Sequence, residues 1–151
     1  MGYYVLLQHV EINIPQSLFP TLCSHLLTSR FIRPENMGGG CYGGPDGGKR
    51  WFSWVDMDQL NQALADNDFY RVLECFRFEP ITNEAGDIID LHFDAKCGDE
   101  EKLFNHLAPV LPGTTRLTWQ GENGEQWRYV IKDGKFKWVD GITMFPGDEE
   151  D

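Results

Sequence analysis

Gly43, Gly48 and Lys49 stand at the G-x-x-x-x-G-K spacing with which glycine-rich loops cradle phosphate. Two parts of that device are missing. Arg50 occupies the position where Ser or Thr binds magnesium, and Trp51 to Val55 reads as a strand, not the helix whose N-terminus would hold the phosphate. The loop is therefore read as a lid or a partner-binding segment, with Met37 and Tyr42 as its contact residues. Cys41 lies in it too. A thiol nucleophile needs a histidine base within reach or a helix N-terminus to lower its pKa, and nothing local ties His9, His25, His92 or His106 to Cys41. Asp90, His92 and Asp94 alternate along one predicted strand, about 6–7 Å apart, and offer oxygen and nitrogen donors to a metal. The same alternation is what a half-exposed strand shows, and the residues between them are apolar, so a solvent face is the preferred reading. No catalytic residue, metal ligand or cofactor is assigned.

The charge is more telling once it is located. Of the net −11, residues 56–101 carry −10, with thirteen acids against three bases, while 1–55 carry +1 and 102–139 carry +3. The remaining −5 lies in 140–151. Like-charge repulsion disfavours direct binding to nucleic acid, and a basic protein partner is favoured. The basic residues Arg116, Arg128, Lys135 and Lys137 fall on one face of the predicted terminal sheet. They can form an anion-binding strip or pair with the acidic middle third.

The elements that must position these groups are legible in the patterning. Over 114–140 apolar and polar residues alternate: Thr115, Leu117 and Trp119, then Trp127, Tyr129 and Ile131, oppose a polar face, and Phe136 and Trp138 supply a third strand. The turns Gly121-Glu122-Asn123-Gly124 and Lys132-Asp133-Gly134 carry the Asn-Gly and Asp-Gly pairs that tight hairpins need. Tyr3 to Ile12 reads as an interior strand with Tyr4, Leu6, Val10 and Ile12 on one face and Val5 and Leu7 on the other. A helix is expected from about Ser17, with Phe19, Leu22, Cys23, Leu26 and Leu27 as its stripe. A second follows Asp56 as N-cap through Met57, Leu60 and Leu64. From Phe69 the pattern predicts a short helical turn, then a strand from about Glu74. Next come the turn Asn83 to Asp87 and a strand with Ile89, Leu91 and Phe93 on its apolar side. Gly98-Asp99 opens a third helix, with Glu100 and Glu101 in its first turn and Pro109 ending it.

The 33–50 segment, with seven glycines between Met37 and Gly48, is the long irregular stretch. The expected organisation is a single α+β domain over 1–143: a mostly antiparallel sheet with a C-terminal three-stranded meander and about three helices, followed by an acidic tail over 144–151 that frays. The start of the chain lacks the basic stretch and cleavage pattern of a signal peptide. Leu6 stands where a myristoylation signal has Ser or Thr. No apolar run is long enough to cross a membrane as a helix. Cys23, Cys41, Cys75 and Cys97 form no C-x-x-C pair, so reduced thiols and a cytoplasmic location are expected.

Gly98-Asp99-Glu100, Leu107-Ala108-Pro109, Gly121-Glu122-Asn123-Gly124 and Trp127-Arg128 together resemble a pattern in small, largely uncharacterised acidic bacterial proteins. Asn123 replaces the usual acidic residue. The resemblance implies a cytosolic protein of the immunity or inhibitor kind and supplies no catalytic residue. The functional expectation is a non-enzymatic protein that binds and blocks a basic partner such as a toxin or nuclease. Asp87, Asp90, Asp94, Asp99, Glu100 and Glu101 would steer the encounter, while Tyr42, Trp51 and Trp54 supply contact. One alternative is a nucleic-acid mimic that blocks a DNA- or RNA-binding protein. Another is a small-molecule-binding domain or enzyme with the glycine loop as lid.

Overall fold

Strict alternation in the C-terminal third builds the sheet that organises everything else. The computed structural model describes residues 4–28, 55–96 and 100–140, apart from the Lys96 side chain. β5 (Thr114–Gly121), β6 (Gln126–Lys132) and β7 (Lys135–Asp140) form the expected antiparallel meander. Asp133 and Gly134 take φ of 56° and 77°, so the Asp-Gly turn has the left-handed backbone that its sequence favours. β1 (Tyr4–Glu11) pairs with β5, and β4 (Asp94–Lys96) with β1, giving the order β4-β1-β5-β6-β7. β2 (Glu79–Thr82) and β3 (Ile88–His92) form a separate hairpin. With the four α-helices of the described residues this is an α+β fold.

One face of the sheet and the apolar sides of all four helices share a single core. Trp119 is its centre: its ring meets Phe78, Phe93 and Tyr129 at 6.0, 5.1 and 5.4 Å between centroids. Phe104, from the helix over the sheet, packs edge-on to Phe78 and against Tyr129. The burial of these apolar rings is the main force holding helices to sheet.

β1 departs from the expected faces. A bulge at Gln8 shifts its register from Leu7↔Trp119 to His9↔Thr118, so Val10 and Ile12 join Val5 and Leu7 on the core side. Tyr4 and Leu6 are left exposed on the other side. Its interior position in the sheet, between β4 and β5, is as expected.

α1 (Phe19–Thr28) follows a 3-10 turn at Gln16–Leu18 and buries Phe19, Leu22, Cys23 and Leu26, whereas Leu27, expected in that stripe, is exposed. In α2 (Met57–Ala65) the Asp56 carboxylate accepts from the N–H groups of Asp58 and Gln59, the expected cap. α3 (Phe69–Cys75) runs further than expected. It ends in a Schellman arrangement, with Arg77 at φ 75° and the N–H groups of Arg77 and Phe78 donating to Glu74 O and Leu73 O. The strand after it therefore begins at Glu79, not near Glu74. In β3, Ile88 takes the core position and Ile89 is exposed, because the hairpin register slips between Ile81 and Thr82. α4 (Glu100–Leu107) passes into a 3-10 turn, Ala108–Val110, that contains Pro109.

A small polar latch pins the hairpin turn to the helices. Tyr70 Oη donates to Gly86 O at 2.5 Å and accepts from Gln16 Nε2 at 3.2 Å, and Asp87 Oδ1 accepts from Gln16 N at 2.9 Å. Gly86 has φ 89°, and a Cβ there would lie 3.1 Å from Tyr70 Oη. Gly86→Ala is expected to cost about 1–3 kcal/mol in urea unfolding, because backbone strain and the lost latch act together.

Candidate functional site

The acidic middle third of the sequence folds as one contiguous unit. α2, α3 and the β2–β3 hairpin pack in series, and most of their carboxylates point outward. Arg71 pairs with Asp66 at 3.5 Å and reaches Asp68 at 4.0 Å. Asp58, Glu74, Glu79, Glu84, Asp90 and Asp94 make no ion pair among the described residues, and all but the half-buried Asp90 are exposed.

The six acids singled out from sequence have different places in this arrangement. Asp87 is half-buried and committed to the Gln16 cap. Asp90 accepts from the N–H of Leu91 and lines a cleft; Asp94 is exposed on β4, beside Leu6. Asp90 and His92 lie in the hairpin and Asp94 in the five-stranded sheet, with the buried Phe93 between them. Among the described residues no group of three His, Cys, Asp or Glu side chains is placed to hold a metal ion. Glu100 opens α4 and is 2% exposed, so it presents no charge to a partner; Glu101 is half-buried beside it. Asp99, Tyr42, Trp51, Trp54 and the whole glycine loop with Met37 and Cys41 lie outside the described residues. Asp58, Glu74, Glu79 and Glu84 were not among the partner-binding acids expected from the sequence. Their signal was position on the polar side of a helix stripe or in a hairpin.

The Gln8 bulge also opens a cleft. Leu7 N donates to Phe93 O, and seven residues later Ile14 exchanges both backbone bonds with Ile88. Between these closures no backbone hydrogen bond joins β1 to β3. The opening has a volume of about 420 Å³ and is lined by Gln8, His9, Ile81, Asp90 and His92, among others. The geometry gives two exposed imidazoles and a carboxylate at a strand opening. It gives no nucleophile with a base held against it.

On the opposite side of the sheet from the helices, Gln126 Nε2 donates to Gln8 Oε1 at 2.8 Å and Gln8 Nε2 to Gln120 Oε1. Arg128 Nε donates to Thr118 Oγ1 at 2.9 Å, and Arg116 pairs with Glu11 at 2.7 Å. Lys132, Lys135 and Lys137 are exposed around them.

The described thiols are poor nucleophiles. Burial, assisted by Asp68, pushes the Cys23 thiol up to about 11, and burial raises Cys75 as well. Both are unpaired with each other or any other cysteine.

His25 Nε2–H donates to His106 O at 2.7 Å and the rings lie 4.9 Å apart, joining the ends of α1 and α4. Burial and then the neighbouring His25 lower the His106 pKa from 6.5. The folded chain thus binds this proton less well than the unfolded chain. Its contribution is complete above the unfolded value and declines as pH falls through 6.5 toward the lowered one. Between about pH 7.5 and about pH 5 the native chain is expected to lose more thermal stability than His106→Gln does. Equal losses would remove His106 from the acid response.

No family model matches the chain, and neither curated proteins nor solved structures match it. No helix of the described residues is long and apolar enough to cross a membrane.

Proposed function

We propose that this chain is a non-enzymatic binding protein that recognises and blocks a basic protein partner, in the manner of an inhibitor or immunity protein. One observation carries the reading: the exposed carboxylates of Asp58 on α2, Glu74 on α3, Glu79 on β2 and Glu84 in the hairpin turn, with no ion pair among the described residues, sit on one contiguous unit. Unpaired surface charge of one sign does little for folding and opposes compaction by self-repulsion. The same charge raises the on-rate of a cationic partner by long-range attraction. Exposed Ile81 and Ile89 on the hairpin lie among these acids and give apolar area for short-range contact.

The test compares the native chain with a variant in which Asp58, Glu74, Glu79, Glu84, Asp90 and Asp94 are replaced by Asn or Gln. Each is used as bait in a lysate of the source organism. A stoichiometric basic protein held by the native chain and lost by the variant supports the reading. If DNA or RNA then competes for the captured protein, the carboxylates act as a nucleic-acid mimic.

A further inference from the structure

We infer that the cleft opened by the Gln8 bulge between β1 and β3 is a socket for one guanidinium, the head of an arginine side chain on the basic partner; the inference rests on the partner reading above. The cleft is closed at both ends, by Leu7 N on Phe93 O and by the paired backbone bonds of Ile14 and Ile88. A strand cannot thread along its edges, and its volume of about 420 Å³ suits a single side chain or small molecule. Phe93 turns its carbonyl toward β1, and the burial of Leu91 and Phe93 about an exposed His92 shows unbroken alternation. Leu91 therefore turns its backbone toward β1 as well. Pro80, its partner across the hairpin, has no N–H to offer. Leu91 N donates to Asp90 Oδ1 at 2.8 Å, which leaves Leu91 O facing the cleft with no donor among the described residues.

The lining selects the occupant by its excess of acceptors. Asp90 is half-buried, and apart from the bond to Leu91 N its carboxylate has no partner among the described residues. Gln8 commits both ends of its amide to Gln120 and Gln126. Among the described residues no Lys or Arg lines the cleft, and Glu79 stands directly opposite His92 across the hairpin, so an anion is disfavoured. A guanidinium meets these demands. Its planar fork of N–H donors matches the Asp90 carboxylate and the Leu91 carbonyl, and its faces can stack on the imidazoles of His9 and His92, which line the same opening. An ammonium is a point charge with no flat face to stack. Val10 and Ile81 give the methylene stem an apolar wall.

The experiment titrates the full native chain with acetyl-Gly-Arg-Gly-amide and with its citrulline and lysine counterparts, followed by NMR of the backbone amides. The arginine peptide is expected to give saturable shifts at Gln8, His9, Leu91 and His92, and the neutral citrulline peptide to bind about tenfold more weakly. Asp90→Asn keeps an oxygen for Leu91 N but loses the charge, and should weaken arginine binding about fivefold, while Glu74→Gln and Glu84→Gln on the same acidic unit should leave it unchanged. Absent shifts, shifts spread over α2 and α3, or equal weakening by the three substitutions would overturn the socket. So would citrulline or lysine peptides that bind as tightly as arginine. The titration contains no lysate protein, so the two readings fail separately. A cleft blind to arginine beside a successful lysate capture strikes this inference alone, whereas arginine binding with no captured protein strikes the proposed partner.

Discussion

Replacing Trp119 by Ala is expected to lower the unfolding free energy by about 3–5 kcal/mol, the range for deleting a large buried aromatic side chain. The indole is 1% exposed and touches aromatic rings from three other parts of the fold: Phe78 after α3, Phe93 at the hairpin-to-sheet crossing, and Tyr129 on β6. Its removal opens a cavity where sheet, hairpin and helices meet, and the neighbours cannot all collapse into it. One effect works the other way. Trp119 Nε1 is buried without a hydrogen-bond partner among the described residues, so deleting it relieves a desolvation cost of about 1–3 kcal/mol. Trp119→Phe separates the two effects: it keeps a ring in the cavity and removes the orphan donor, and should cost far less than the alanine. Domains of this size are stable by about 5–15 kcal/mol, so the alanine variant retains only part of its stability. Urea unfolding followed by near-ultraviolet circular dichroism reads both variants. An alanine cost below about 1 kcal/mol would mean that Trp119 is not where the layers are joined.

The second large effect concerns rate. Neutralising Asp58, Glu74, Glu79, Glu84, Asp90 and Asp94 removes six negative charges from a net of −11. Association with a cationic partner at low ionic strength is expected to slow by about 10- to 100-fold, and its dependence on salt to flatten. Dissociation should change less, since exposed charges act mainly on the encounter. Stability should hold or rise slightly: none of the six caps a helix, and Asn at position 90 still offers an oxygen to Leu91 N. A variant that unfolds would instead point to structural roles for these acids.

The meander was legible because alternation and turn chemistry agree there: Leu117, Trp119, Trp127 and Tyr129 can face only one way once the Asp133-Gly134 turn is set. The Asp56 cap was legible for the same reason, a short-range rule with no competing contact. β1 was not, because apolar residues at Tyr4 to Leu7 occupy both faces and only the tertiary register reveals the bulge at Gln8. α3 was cut short in the sequence reading because Arg77 gives no warning of a left-handed residue, a position that glycine usually marks. At the candidate site the sequence shows where the acids lie along the chain. It could not separate Asp87, which folding uses as a cap, Asp90, which is half-buried and bonded to Leu91 N, or Glu100, which α4 buries, from the exposed carboxylate of Asp94. Composition records how many charges there are, while only the fold records which of them water sees.

The most direct measurement is affinity capture from the source organism's lysate with the native chain and the six-residue neutralised variant, followed by association kinetics of the captured protein across a range of salt. A single basic protein is expected, retained in stoichiometric amount by the native chain alone, with an association rate that falls steeply as salt rises. Equal retention by both chains, or no retained protein at low salt, would contradict an acidic recognition surface on α2, α3 and the hairpin.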